Sequence, residues 1–214
     1  MMTEARTGAA WTAGQGTLAR TLRAAAAVAL VGLMAACAST GTKALYDLSA
    51  VASVPAPANH KASSAQVLVP APRALRALAT DSIAVKSGAA AISYYPNVLW
   101  ADQLPNVLQS RVVESFERSG RIHAVGFPGE GLLINYQIPI EIRDFELVSG
   151  AHSRGVVELS VKILNDANGR VVASRVFRAE VPTSSDTAPA AVKALNAALQ
   201  QVLNELVPWV DQSI

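Results

Sequence analysis

Cys37 is the only thiol in a chain of 214 residues. A lone cysteine forms no internal disulfide, and an odd one in an exported protein needs another explanation. It closes an apolar run, Val28-Ala-Leu-Val-Gly-Leu-Met-Ala-Ala-Cys37, with Arg6, Arg20 and Arg23 upstream. Positive charge, an apolar core and then small residues make the layout of a secretory signal. Residues 24–36 are too short an apolar core to span a bilayer, which takes about 20. Other chemistry finds little support. His60, His123 and His152 are far apart and match no spacing such as His-Glu-x-x-His, so no metal is expected. No Gly-x-Ser-x-Gly elbow is present. The cluster Gly126-Phe-Pro-Gly129-Glu-Gly131 lacks the lysine and hydroxyl of a phosphate-binding loop and reads as a plain loop. Neither a catalytic set nor a cofactor is expected, and an enzyme is the least supported reading.

Leu33-Met34-Ala35-Ala36-Cys37 resembles the lipobox of bacterial lipoproteins, with Met34 where leucine is commonest. That resemblance implies a diacylglycerol on the Cys37 sulfur, cleavage just ahead of it and acylation of the new amine with a chain such as palmitate. Residues 1–36 are then a signal peptide and Cys37 the lipid-attachment residue. A single acyl chain binds membranes with K of about 10⁴ M⁻¹, so three make a lasting anchor. Ala38, where an aspartate would imply retention in the inner membrane, resembles the outer-membrane class. The implied location is the periplasmic face of the outer membrane. Of 18 Lys and Arg and 16 Asp and Glu, Arg6, Arg20, Arg23 and Glu4 precede Cys37, leaving 15 of each. A neutral mature chain without a basic stripe does not suit nucleic acid.

The elements that follow read as one domain. Residues 37–64 comprise the lipidated tether, a first short strand at 45–48 and a Pro-rich loop over 50–64; residues 65–214 form the body. A short strand is expected at 66–70. A hairpin is expected from 81–86 and 91–95, ended by Pro96. Asp102 can cap a helix with Leu104, Leu108, Val112 and Phe116 on its apolar face, terminated by Gly120. Alternation over 132–142 predicts a strand with one wet face. Beyond it the apolar parity flips at Phe145 and Leu147, which a bulge at Arg143-Asp144 would produce. Strands at 157–163 and 171–181 flank the turn at 165–169. A second amphipathic helix spans 188–207, with Pro208 at its end and Trp209 beyond. The fold class is α/β: a mixed, twisted sheet with antiparallel hairpins and two covering helices.

Tyr94, Tyr95 and Trp100 lie close together ahead of Asp102. They read as a partner-binding patch, since Tyr and Trp are enriched at interfaces. Otherwise one tyrosine and Trp100 fill the core while Asp102 caps, the reading favoured for Trp100 and Asp102. Arg143, Asp144 and Phe145 read as architecture, with a partly buried ion pair nearby. Trp209 either packs on the sheet or meets a partner.

Several pieces together resemble the ABC-type transport auxiliary lipoproteins, among them the paraquat-inducible-type auxiliary lipoprotein. They are the lipobox, Tyr46-Asp-Leu48, Ile92-Ser-Tyr-Tyr95, Trp100-Ala-Asp-Gln-Leu104-Pro105, Ile140-Glu-Ile-Arg-Asp144-Phe145, Gly169-Arg-Val-Val-Ala-Ser-Arg175-Val-Phe177 and Trp209-Val210. The resemblance implies a fold like the TolB N-terminal and anticodon-binding domains. It also implies an accessory role beside an ABC ATPase, a permease and a protein with mammalian-cell-entry (MCE) domains in envelope lipid transport. The lipoprotein would dock or cap the MCE assembly at the outer membrane, and a homo-oligomer would fit that role. The alternative is a periplasmic lipoprotein that holds a lipid or apolar solute between sheet and helices.

Overall fold

The structure, a computed structural model, describes residues 43–51, 61–88 and 91–214. Cys37 and His60 lie outside them. Among the described residues, ten strands and two helices follow one another: β1 (Ala44–Tyr46), β2 (Ser63–Leu68), β3 (Arg73–Ala74), β4 (Ser82–Ser87), β5 (Ala91–Trp100), α1 (Leu104–Ser119), β6 (Ile122–Gly126), β7 (Tyr136–Gln137), β8 (Ile140–Ser149), β9 (Arg154–Asn165), β10 (Val171–Pro182) and α2 (Ala188–Ser213).

One broken strand organises the sheet. β7 and β8 both run antiparallel to β9, and β10 pairs with the far side of β9. On their other flank β7 and β8 meet three parallel strands in succession: β2 beside Tyr136 and Gln137, β3 beside Glu141 and Ile142, and β4 beside Glu146 to Ser149. β6 extends from β2, and β5 and then β1 extend from β4.

The single strand expected over 132–142 is therefore corrected to two pieces. Gly129 and Gly131, at φ 93° and 74°, hold the connection from β6 in a left-handed conformation that no strand adopts. Pro139 lacks an amide donor and interrupts the ladder. The backbone stays tied there, because Ile138 N donates to the Leu68 carbonyl (2.9 Å) and Lys162 N to that of Pro139 (3.1 Å). The alternation survives the break: Ile138, Ile140 and Ile142 are all buried. Beyond it, Ile142 lies opposite Leu159 and Asp144 opposite Glu158, so Arg143 is the extra residue of a bulge. The inserted residue flips the faces and buries Phe145, as the parity predicts.

β4 and β5 form the expected hairpin, but Pro96 does not end it. β5 continues to Trp100 through an irregularity in which β4 advances from Ser82 to Ala84 while β5 covers Leu99 to Tyr94. Pro96 sits in that bulge, where no ladder bond is lost, and Asn97 beside it adopts φ 58°.

α1 begins one residue later than a cap at Asp102 would allow. Its N-cap is Gln103, without a side-chain cap bond. The Asp102 carboxylate instead accepts from Gln103 N (2.6 Å) and Asn106 Nδ2 (3.1 Å). Gly120 ends the helix at φ 60° and donates to the Glu117 carbonyl. α2 does not stop before Pro208 but passes through it to Ser213. The proline costs one bond to the carbonyl of Asn204, which lies on the exposed side where water can serve it.

Both helices pack on the same face of the sheet. α1 contributes Leu104, Leu108, Val112 and Phe116, and α2 contributes Leu195, Leu199, Leu203 and Leu206, all at 0–2% exposure. Gly155 of β9 lets α2 come close: a Cβ there would stand 2.7 Å from Leu195 N and 2.8 Å from Ala194 C.

The loop expected over 50–64 is shorter than the composition suggests. Ala50 and Val51 are buried, Ser63 opens β2, and residues 52–60 lie outside the described residues. The arm 43–51 is stitched to both helices. Asp47 pairs with Arg111 (2.7 Å) and Val51 N donates to Ser115 Oγ (3.1 Å). Ser49 N donates to Asn196 Oδ1 (2.8 Å), and Gln200 Nε2 donates to the carbonyls of Ser49 and Ala50.

Candidate interaction site

The face of the sheet opposite the helices carries the mainly polar parity of each central strand: Glu141 and Arg143 of β8, Glu158, Ser160 and Lys162 of β9, and Ser174, Arg178 and Glu180 of β10, with the exposed Val176 among them. Ion pairs cross it strand by strand. Lys86 on β4 meets Glu146 (3.1 Å) and Asp144 (3.7 Å) on β8. Arg178 on β10 reaches Asp144 and Glu158 (both 2.7 Å) and Glu180 (2.8 Å), and Glu180 also accepts from Arg154 (2.7 Å). The hydrogen bonds to Glu158 and Glu180 hold the Arg178 guanidinium well above its ordinary range, and Arg178 in turn lowers Glu180. The hydrogen bond to Glu146 raises Lys86. Four cations, Lys86, Arg143, Arg154 and Arg178, face Asp144, Glu146, Glu158 and Glu180. This stripe is internally neutralised.

Beside it the same face opens into a cleft of about 720 Å³. β3 and Leu75 line it together with residues 139–143 of the central strand, Ser160, Lys162 and Leu164 of β9, and Val171 of β10. The interface between sheet and helices, by contrast, is filled by the buried core.

The expected partner-binding residues do not form one patch. Tyr94 and Tyr95 are neighbours on β5 and point to opposite faces. Tyr94, 44% exposed, donates to the Ala77 carbonyl (3.2 Å) in the turn after β3. Tyr95 is half-buried on the helix side and donates to the carbonyl of Asp186 (2.7 Å), just ahead of α2. Burial raises the Tyr95 phenol above its usual range. Trp209 lies within α2 and meets Phe177 edge-on, with centroids 5.4 Å apart, so it packs on the sheet. Trp100 is buried against the Phe145 edge at 5.9 Å, as expected for the core. Arg143 is half-exposed and reaches Glu141 and Glu158 at 3.7 Å, while Asp144 joins the stripe.

With this geometry, the family model described as the ABC-type transport auxiliary lipoprotein component matches residues 46–207, from the stitched arm into α2. The chain belongs to that family. The family's fold appears in protein XCC0632 from Xanthomonas campestris, a crystal structure of family DUF330. It is 31% identical over 79% of this chain and 95% of that one, with a TM-score of 0.71. A second crystal structure, of an uncharacterised protein, shares the fold at 16% identity, 79% and 99% coverage and a TM-score of 0.61. An uncharacterised protein of Bradyrhizobium diazoefficiens, bll6063, is 32% identical over 149 residues, 70% of this chain; the match spans 40% of that relative's length.

Among the described residues, no three His, Cys, Asp or Glu are grouped to hold a metal ion, and no helix is long and apolar enough to cross a membrane. The cleft residues escaped the sequence reading. Arg73 and Leu75 sit in a proline-flanked stretch without periodicity, and Lys162 reads as an ordinary wet-face residue.

Proposed function

We propose that this protein is a non-enzymatic accessory lipoprotein of an ABC-type envelope transport system that moves lipid through an MCE-domain protein. Its acylated Cys37 fixes it to the periplasmic face of the outer membrane, where the folded body docks or caps the MCE assembly. The observation that carries this reading is the family match across residues 46–207, taken with the lipobox-like sequence at Cys37. Tethering converts individually weak contacts into an effectively intramolecular association. A homo-oligomer would repeat the same contacts around such an assembly.

The test is made in the native host. Metabolic labelling with radioactive palmitate is expected to mark the protein, and Cys37→Ser to abolish the label and release the protein from the outer-membrane fraction. Crosslinking in intact cells is expected to join the wild-type protein to the MCE-domain protein of the same envelope. An unlabelled product, or a crosslink profile without that partner, overturns the proposal.

A further inference from the structure

The cleft on the helix-free face differs in kind from the ion-pair stripe beside it. The stripe's charges neutralise one another across short contacts, whereas two of the three cations at the cleft do not. Arg143 faces Glu141 and Glu158. Arg73 and Lys162, both exposed, make no ion pair among the described residues. Among the described residues that line the cleft, one carboxylate, Glu141, stands against three cations, beside Arg143 and opposite Arg73 in the β3–β8 ladder. The rim therefore carries more positive than negative charge.

The wall is apolar and open to solvent. Leu75, directly after Arg73 and Ala74, is 76% exposed, and Val171 is 54% exposed. Leu164 lies opposite Val171 in the β9–β10 ladder, so the two make a cross-strand apolar pair beside Lys162. Side chains of this kind leave water at about 25 cal/mol per Å² when something covers them. A volume of about 720 Å³ lies within the range of small-molecule sites, roughly 300–1,000 Å³. Cations and bare aliphatic side chains brought together in one cleft match a molecule with a negative head and an apolar tail.

We propose that this cleft binds an anionic glycerophospholipid, with the headgroup phosphate at Arg73 and Lys162 and an acyl chain along Leu75, Leu164 and Val171. The guanidinium donates to the phosphate in a fork and the ammonium as a point charge. The inference rests on the membrane-anchored location proposed above, which puts lipid within reach, and goes beyond docking by giving the body a ligand of its own.

The test uses the full lipidated protein reconstituted in phosphatidylcholine vesicles that contain a photoactivatable phosphatidylglycerol or, separately, a photoactivatable phosphatidylcholine. Adducts are mapped by peptide mass spectrometry. The phosphatidylglycerol probe is expected to label residues 139–143 and 160–171 at least ten-fold more than the phosphatidylcholine probe. The double variant Arg73→Glu, Lys162→Glu is expected to lose that labelling at an unchanged melting temperature, both side chains being exposed. Leu75→Asn provides a second variant that removes apolar wall without changing the rim's charge and is expected to weaken labelling by both probes. Equal labelling by the two probes, adducts confined to other surfaces, or labelling that survives the charge reversal overturns the proposal. None of these readouts requires the transport partner, so failure here is distinguishable from failure of the proposed docking role.

Discussion

Replacing Gly155 with alanine tests the packing of the fold at the point of closest approach between sheet and helix. Gly155 lies in β9 between Leu147 of β8 and Val181 of β10. It is not among the positive-φ glycines, so its backbone accepts a side chain and any cost comes from space alone. The added Cβ would lie 2.7 Å from Leu195 N, 2.8 Å from Ala194 C and 3.0 Å from Ala194 Cβ, against an ordinary lower limit of 3.4 Å. α2 must retreat locally by about 0.7 Å, the difference between 2.7 and 3.4 Å. The two nearest atoms are backbone, so no rotamer change relieves them. Leu195 and Leu199 are fully buried and move with the helix. Overpacking of this kind costs about 1–3 kcal/mol. Alanine's lower unfolded-state entropy returns roughly 0.4–1 kcal/mol. With the overpacking term in the middle of its range, the net is a loss of about 1–2 kcal/mol. At roughly 2–4 °C per kcal/mol for a domain of this size, the melting temperature falls by about 2–8 °C. Thermal unfolding followed by circular dichroism, with urea unfolding as a second measure, reads it directly. A Gly155→Ala protein that melts at or above the wild-type temperature would refute the close-approach argument.

Three further outcomes are expected. Arg121 and Asp211 form a buried ion pair at 3.1 Å that joins the end of α1 to the end of α2; breaking such a pair costs roughly 3–5 kcal/mol, so Asp211→Ala should lower the urea midpoint by the largest margin of the set. Tyr95 has a raised phenol in the fold, so its contribution is complete below the unfolded value of about 10 and is lost as pH rises toward the folded value. Tyr95→Phe should therefore flatten the alkaline arm of a stability–pH profile, and an unchanged arm would contradict the burial assigned to it. Trp209→Leu removes the edge-on contact with Phe177 while keeping an apolar side chain; a loss of about 0.5–1.5 kcal/mol in urea unfolding is expected, and no loss would return Trp209 to the surface.

The parts of the fold legible in the sequence were those whose pattern is local. α1 announced itself through Leu104, Leu108, Val112 and Phe116 and its terminal Gly120, and the β8 bulge through the parity flip between Ile142 and Phe145. The parallel pairings of β1, β2 and β3 were not legible, because the partners are remote in sequence and short strands carry little periodicity. Prolines misled in both directions. Pro96 and Pro208 read as terminators, yet each sits where the missing amide costs little: one in a bulge, the other on an exposed side of its helix. Pro139, inside the most regular alternation of the chain, does break a strand. The candidate site was hidden for a related reason. The cleft joins residues 73–75, 139–143 and 160–171, and none of these stretches displays a motif by itself. Tyr94 and Tyr95 misled because adjacency along a strand places side chains on opposite sides of it.

The stitched arm at 43–51 sets how the body would carry load if Cys37 is its anchorage. Tension arriving from the membrane would enter at Lys43 and meet β1, held by three residue pairs along β5. It would then pass to Asp47, Ser49 and Val51, whose bonds reach α1 through Arg111 and Ser115 and α2 through Asn196 and Gln200. Force would thus be shared between two struts before it reached the central strand. A tug from the envelope would peel a short hem while the seams beneath it held.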